Sequence, residues 1–317
     1  MTDALHIISP GSYTTVQDMG RFHAYHMGVP VSGSLDDFAH QIANWLVGNS
    51  QDSAVLEMSM IGAKFDVICE TDMAVTGARM NLRVNGSPCP GWTSIRVQPG
   101  DMVELGTVEN GCRAYLAVTG GIDVPFVMGS RSTYVGGQLG GLKGRLLLSE
   151  DILPRGEGRL LNKPRSLPWF PLYPEKIFVR AIPGPHDDFF RNNLDRFFES
   201  TFTVTAQSNR MGCRLAGPEI LRDTDAPQSI ISEPIMPGNV QVPADGQPIV
   251  LLKEQTIGGY TNIATVISPD IFRMAQAGPG DTVQFIHVTL DEAHRIYRDW
   301  IRFLNEIEAL LTDDQQL

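Results

Sequence analysis

The sequence predicts a mainly β protein made of two tandem β-barrel domains and a few helices, including a long one near the C-terminal end. Three observations predict this class. Short apolar runs separated by Gly, Pro and Asn turns fill both halves, a proline-rich segment divides them, and one turn-and-strand motif occurs in each half.

Composition limits the kinds of partner. The chain has 317 residues, of which 42% are hydrophobic and 19% charged, and its formal net charge is −11. This length favours two globular units, each large enough to bury its own core. Nucleic acids and anionic membranes both require a basic surface, so we expect no nucleic-acid or membrane partner. Small molecules and other proteins are the expected partners.

The lack of recognisable targeting signals and the spacing of the cysteines both indicate a reducing compartment. No run of about 18 apolar residues occurs, and the first residues lack the basic and apolar regions of a signal peptide. The four cysteines show no C-x-x-C spacing, so neither a zinc site nor a redox pair is expected. We therefore expect a cytoplasmic protein with free thiols.

The first half reads as strands around a single helix. Leu5–Ile8 and Tyr13–Val16 predict strands. A 3.6-residue apolar period predicts a helix over about 36–47, with Ser34 as its N-cap and Gly48 just beyond its end. From 54 to 118 strand follows strand, which is typical of a sandwich or barrel.

A glycine-rich segment, 129–144, follows these strands. Its composition predicts a long ordered loop. It does not match the Walker pattern, because Lys143 is followed by Gly144 rather than by Ser or Thr. A phosphate-binding P-loop is therefore not expected.

Prolines at 164, 168, 171 and 174 predict an extended linker. The predicted domains are thus a first barrel over 1–161, a linker over 162–174, and a second barrel with the C-terminal helix over 175–317. Strands are predicted at 176–182 and 202–205, a helix at 187–199, and an amphipathic helix at about 291–311. The recurring motif is Pro-Gly-Asp before a strand, at 98–105 and again at 278–285.

The second half contains the stretch that is richest in candidate site residues, Ser229–Tyr260. Apolar runs at 230–231, 240–242 and 249–252 predict strands. Polar side chains fall at strand ends and turns, where they can converge on a ligand, and Gly258 and Gly259 permit close approach of the backbone. A β-hairpin with solvated edges would give the same pattern.

Several longer motifs in this chain occur in a fixed order. They are Thr14–Arg21, Gly28–Gly33, Ala43–Asn49, Gly129–Thr133, Arg210–Gly212 and the stretch Ser229–Tyr260. Together they resemble the biotin-dependent carboxyltransferase-like family, also called allophanate hydrolase subunit 2. Its members include the C subunit of prokaryotic 5-oxoprolinase, the antagonist of the Kip inhibitor of a sporulation kinase, and a domain of urea carboxylase.

The resemblance implies two cyclophilin-like β-barrels in tandem. It also implies a smaller homologous partner of the B or Kip-inhibitor type and, for 5-oxoprolinase, a third, A-type component that completes an ATP-dependent enzyme. ATP is accordingly expected in the assembled complex. The chain departs from the family's commoner residues at Cys213, Lys253, Glu254 and Ile257, which leaves the fold expectation intact and the substrate open.

Opening 5-oxoproline, a lactam with a carboxylate, needs specific groups. Amide resonance makes the reaction slow unless ATP activates the lactam oxygen or a polar site polarises it. An Arg clamps a carboxylate through two parallel hydrogen bonds, and Arg21 and Arg210 are the candidates; a structural salt bridge is the competing interpretation for each. Asp18, Glu233 and Glu254 are the candidate catalytic carboxylates. Asp18 could instead pair with Arg21.

Amide side chains suit a lactam, a urea or a biotin ring, because they offer a donor and an acceptor together. The remaining substrate-binding candidates are Gln241, Gln247, Gln255, Thr256, Gly258, Gly259 and Tyr260. A metal site is not predicted, since His23 and His26 lack a third ligand. Neither a G-x-S-x-G motif nor a His next to Cys213 indicates covalent catalysis.

Three functions stay open on this basis. The first is a component, inactive alone, of an ATP-dependent 5-oxoprolinase that opens the lactam to glutamate. The second is the carboxyltransferase component of a biotin-dependent urea or amide carboxylase; biotin would then be carried by another chain, because no Met-Lys-Met attachment sequence occurs here. The third is a non-enzymatic antagonist of a kinase inhibitor.

Overall fold

The computed structural model describes residues 2–227 and 230–312, so Ser229, the first residue of the stretch Ser229–Tyr260, lies outside the described residues. The chain folds into two compact units. The first unit holds 2–24, 32–172 and 305–312, and the second unit holds 25–31, 173–227 and 230–304. The predicted boundaries around 162–174 stay a prediction. In the described part of the chain no helix is long and apolar enough to cross a membrane.

The first unit is built on a β-sheet that has nine strands among the described residues. Their hydrogen-bonded order is β2-β3-β8-β4-β1-β9, with β5 joining β6, β7 and β8. The strands are β1 Thr2–Ser9, β2 Tyr13–Gln17, β3 Val55–Ser59, β4 Lys64–Val67, β5 Thr71–Val84, β6 Ser87–Pro88, β7 Ser94–Val97, β8 Met102–Val118 and β9 Ile152–Arg155.

Two long antiparallel strands, β5 and β8, dominate this sheet. Met73 pairs with Val118 at one end and Val84 with Val103 at the other, with register shifts between. Apolar side chains from nearly every strand form one buried core. The run of strands predicted over 54–118 is confirmed.

Helix α1, Asp37–Leu46, confirms the helix predicted at 36–47. Its N-cap is Asp36, whose carboxylate accepts a hydrogen bond from the Ala39 N–H at 2.8 Å. The predicted cap, Ser34, is wrong, because its hydroxyl bonds Nδ1 of the buried His40 at 2.7 Å. Gly48 follows with a φ of 77°, as the predicted helix end requires.

The second unit contains a closed barrel, which has seven strands in the described part of the chain, in the order β10-β17-β14-β15-β12-β11-β18. The parallel pair β10–β18 lies among antiparallel neighbours. The barrel strands are β10 Lys176–Pro183, β11 Thr201–Val204, β12 Gly212–Ala216, β14 Asn239–Val242, β15 Ile249–Leu251, β17 Thr261–Val266 and β18 Thr282–His287. A separate pair consists of β13 Glu233–Pro234 and β16 Ile257–Gly258. The predicted mainly β fold with two cyclophilin-like halves is confirmed.

Two local predictions in this unit were wrong. Residues 230–231 are irregular rather than a strand, and Ile231 is 93% exposed. The helix predicted over 187–199 is divided into a 3-10 helix, Asp187–Phe190, and α2, Leu194–Glu199. Between them the Asn192 N–H and amide both donate to the buried Asp223 carboxylate, which draws the backbone away from helical bonding.

The remaining helices are α3, Ile271–Ala275, and α4, Leu290–Thr312. The long helix confirms the prediction at 291–311. Trp300 of α4 stacks on Phe272 with a centroid separation of 5.6 Å, and Ala293 packs in a cluster with Ile267 and Val288.

The recurring Pro-Gly-Asp motif has the same local structure in both units. Asp101 accepts the Gln98 N–H, and Asp281 accepts the Gly278 N–H, each at 2.7 Å. The intervening glycines have φ values of 90° and 97°. The motif therefore forms the same aspartate-closed turn before β8 and before β18.

Candidate functional site

Asp18 follows β2 and is buried in the first unit. Its carboxylate accepts hydrogen bonds from the Ser130 and Ser132 hydroxyls and from the Gly20 and Arg131 N–H groups. Asp18 thus fastens the loop around 130–132 to the end of β2, and its catalytic assignment stays a prediction.

Arg21 is 1% exposed and directs its guanidinium at the same loop. It donates to the Ser132 carbonyl at 2.7 Å and to the Val127 carbonyl at 3.4 Å. A side chain added at Gly140 would overlap both the Ser132 carbonyl and this guanidinium. The role of Arg21 as a clamp for a substrate carboxylate also stays a prediction.

The glycine-rich segment, 129–144, is an ordered loop, as predicted. Two of its backbone donors bond inside the loop: the Gly141 N–H donates to the Arg131 carbonyl and the Gly144 N–H to the Gly140 carbonyl. A Cβ at Gly141 would overlap the Thr133 side chain, and one at Gly144 the Gln138 carbonyl. These glycines permit close packing of the loop on itself.

Several buried polar atoms of the first unit have no hydrogen-bond partner among the described residues. They include Oε1 of Gln17 and the hydroxyl of Ser32, and both of these residues are fully buried. Ser32 also has a φ of 55°, which is an unfavourable backbone conformation for a residue with a side chain.

Arg210 and Glu254 form a buried ion pair in the second unit. Arg210 Nε donates to Glu254 Oε1 at 2.6 Å, and the side chains are 5% and 7% exposed. The Glu254 N–H also donates to the Arg210 carbonyl, which ties the end of β15 to the start of β12. Arg210 thus already has a carboxylate partner within the fold.

Glu233 lies in β13 at the centre of a second polar cluster. Its Oε1 accepts a hydrogen bond from the Asn262 amide at 2.8 Å. His186 Nδ1 is 3.8 Å from the same oxygen, but it accepts the Asn262 backbone N–H at 3.1 Å. In neutral His186 the proton therefore resides on Nε2. The Glu233 side chain is 34% exposed, so this carboxylate is open to a ligand.

Gln241 in β14 is next to this cluster, since it is the register partner of Asn262 on the neighbouring strand β17. Its amide donates to the Tyr260 carbonyl at 3.3 Å. A Cβ at Gly258 would overlap that amide, so the glycine predicted for close approach makes room for Gln241. Tyr260 itself is 51% exposed.

The other predicted ligands are distributed around these residues. Gln247 holds the backbone of Gly217 through both ends of its amide, at 2.8 and 3.2 Å. The Thr256 carbonyl accepts the Ile235 N–H. Gln255 and Thr256 are half-buried, and Gly259 is exposed. Their substrate-binding roles stay predictions.

Tyr25 belongs to a short segment of the second unit, and its hydroxyl donates to the Ile235 carbonyl. Burial raises the pKa of Tyr25 above its ordinary value, against the opposing effect of that hydrogen bond. The phenol therefore stays protonated and remains a donor at neutral pH.

The structure brings Glu233, Gln241 and Gly258 together, and it pairs Arg210 with Glu254. Asp18 and Arg21 belong to the first unit. His186 and Asn262 were not predicted from the sequence, because no motif marks them. In residues 2–227 and 230–312 no group of three or more His, Cys, Asp and Glu side chains is placed to hold a metal ion.

Comparison with known proteins gives consistent matches. The family model for the carboxyltransferase domain, subdomains A and B, matches residues 27–287. The C subunit of the Escherichia coli 5-oxoprolinase is 40% identical over 309 residues, covering 96% of this chain and 97% of that protein.

Larger enzymes match through one part of their length. The urea amidolyase of Lachancea kluyveri is 32% identical, over 92% of this chain and 17% of that protein. The crystal structure of Kluyveromyces lactis urea carboxylase superimposes with a TM-score of 0.89 at 30% identity, over 96% of this chain and 29% of that one.

Proposed function

The chain belongs to the family of carboxyltransferase domains with subdomains A and B, and from this premise we propose that it is the C-type component of an ATP-dependent 5-oxoprolinase. The enzyme would open the lactam 5-oxoproline to glutamate. The observation that carries the proposal is the 40% identity to the C subunit of a 5-oxoprolinase over nearly the full length of both chains. The matched urea amidolyase is much larger, and only 17% of it is covered.

The polar cluster around Glu233 suits this chemistry. Hydrolysis adds water across the lactam C–N bond, so a proton must leave the water and one must reach the ring nitrogen. The half-exposed Glu233 is held by the Asn262 amide and can accept the proton from water. Gln241, 3% exposed, lies beside it and offers both a donor and an acceptor.

Arg210 acts differently in this proposal from the simple clamp expected from sequence. Its ion pair with Glu254 holds the backbone that leads into β12 and out of β15. A substrate carboxylate would compete with a buried carboxylate already 2.6 Å away. We therefore assign Arg210 to positioning this part of the second unit.

ATP and two companion chains complete the proposal. ATP would activate the lactam oxygen. We place the nucleotide on a companion chain, because the Gly141 and Gly144 N–H groups of the glycine-rich segment bond inside their own loop. The chain would then be inactive alone and active with a smaller homologous B-type chain and a third, A-type chain.

A second candidate is the carboxyltransferase component of a biotin-dependent urea or amide carboxylase. The 30% identity and TM-score of 0.89 to urea carboxylase favour it. Urea, like a lactam, presents N–H donors and a carbonyl to amide side chains. Biotin would be carried by another chain.

The deciding experiment measures ATP-dependent glutamate release from 5-oxoproline by this chain alone and with its two companion chains. We expect release only in the full mixture. Glu233→Gln should abolish it, while the matched variant Glu219→Gln, at an exposed glutamate of the same unit, should not. Lack of glutamate release from a demonstrably assembled mixture would refute the proposal, and a co-purifying biotinylated protein would then favour the carboxylase.

A further inference from the structure

Asn262 has one half of its amide satisfied and the other half without a partner. Its Nδ2 donates to Glu233 at 2.8 Å. Its Oδ1 is buried and accepts no hydrogen bond from any described residue. The Glu233 carboxylate only accepts when ionised, so this contact fixes the amide orientation with the nitrogen towards Glu233. The unpartnered atom is therefore an acceptor that lacks a donor.

The backbone of Asn262 is held in place on both of its polar groups. Its N–H donates to His186 Nδ1 at 3.1 Å, and its carbonyl accepts the His186 N–H at 3.2 Å. Asn262 also pairs with Gln241 of β14. A Cβ at Gly184 would lie 2.5 Å from the Asn262 carbonyl, so the chain before His186 packs directly on this strand.

The position of the acceptor is informative because its neighbour is accessible. Asn262 is 2% exposed, but the carboxylate that it holds is 34% exposed. The two amide atoms of one side chain are only about 2 Å apart, so Oδ1 lies within a few ångströms of the partly exposed Glu233 carboxylate. Buried polar atoms without partners are rare in folded proteins and often mark sites of function.

We propose that Asn262 is a specificity residue whose Oδ1 accepts a hydrogen bond from an N–H of the ligand, beside the Glu233 carboxylate. The inference rests on the proposed function and narrows it: the second unit would select ligands that carry an amide-type N–H. A ligand with oxygen at that position would leave the acceptor unpaired and would bind more weakly. A site built around such a bond discriminates strongly against the analogue that lacks it.

The test compares two ligands on the complex assembled with both companion chains in the absence of nucleotide. One is 5-oxoproline, and the other is the corresponding lactone, in which a ring oxygen replaces the N–H. Calorimetry should give about 10- to 100-fold tighter binding of the lactam. Equal affinities for the two ligands would overturn the inference without requiring any variant to fold.

Two variants test whether Asn262 causes the preference for the lactam over the lactone. Asn262→Leu, similar in size but without the acceptor, should bind both ligands equally. Asn239→Leu is the matched control, because Asn239 lies in the same barrel with both amide ends bonded, to Thr265 and to the Met236 N–H, and should keep the lactam preference. Retention of the preference in Asn262→Leu would refute the assignment. If the wild-type complex binds neither ligand, the proposed function itself fails.

Discussion

The ion pair between Arg210 and Glu254 gives the sharpest prediction about stability. Both side chains are more than nine-tenths buried, and their charged atoms are 2.6 Å apart. At about 4 Å between charge centres and an effective dielectric constant of about 20, their attraction amounts to about 4 kcal/mol. Removing one charge leaves the other buried and unpaired, which typically costs about 3–5 kcal/mol.

The perturbation is Arg210→Met, which keeps the aliphatic bulk and removes the charge. For a unit of this size we expect Tm to fall by about 6–20 °C, measured by circular dichroism at neutral pH. Glu254→Gln should also destabilise. The double variant should be more stable than the sum of the two single effects predicts, because no unpaired charge stays buried.

Asp299→Asn in α4 is the matched control. Asp299 pairs with Arg302 at 3.4 Å, but the side chains are 60% and 70% exposed. Water screens such a pair, so its loss should cost less than about 1 kcal/mol. A Tm shift for Arg210→Met as small as that of Asp299→Asn, or strictly additive effects in the double variant, would contradict the reasoning.

Three further predictions concern the first unit. The Arg145 guanidinium holds the pKa of Asp151 below its ordinary value of 3.8, so Asp151→Asn should lower Tm at pH 7, and the difference from wild type should shrink as pH falls below about 4; a difference that is constant down to pH 2 would contradict this. Gly144→Ala should destabilise more than Gly129→Ala, because both glycines have positive φ but only Gly144 has backbone where the Cβ would lie; equal Tm values would refute the steric argument. Asp18→Asn replaces one carboxylate oxygen by an amide NH₂ group, which would face one of the four donors that Asp18 now binds. Chemical denaturation should therefore show that the free energy of unfolding falls by about 1–3 kcal/mol. An unchanged denaturation midpoint would contradict the role of Asp18 in fastening the loop.

Much of the fold could be predicted from the sequence because its determinants are local. The strands of 54–118 and the long helix α4 follow from apolar spacing, and the Pro-Gly-Asp turns follow from three adjacent residues. The closure of the barrel does not, because β10 and β18 pair from positions about one hundred residues apart. The prediction of one continuous helix over 187–199 was wrong for the same reason, because Asp223, 31 residues away from Asn192 in the sequence, interrupts the helix.

The candidate site shows the same limit at the level of single side chains. Glu233 could be predicted because turn-forming residues surround it in sequence. Asn262 and His186 could not, because their roles come from contacts across 29 and 76 residues. No local pattern distinguishes an asparagine in a strand whose amide is fully bonded, such as Asn239, from one with a free acceptor.

The two units carry similar buried amides with different surroundings, and this difference points to where a ligand binds. Gln17 in the first unit also has an unpartnered oxygen, but its nitrogen donates to Thr15 and to the Thr133 carbonyl, both buried. Asn262 instead donates to a carboxylate that is 34% exposed. A ligand can reach an acceptor only through an accessible neighbour, so the second unit is where recognition of an N–H group should be sought. Substitutions at Gln17 should accordingly change the stability of the first unit and leave the lactam preference unchanged.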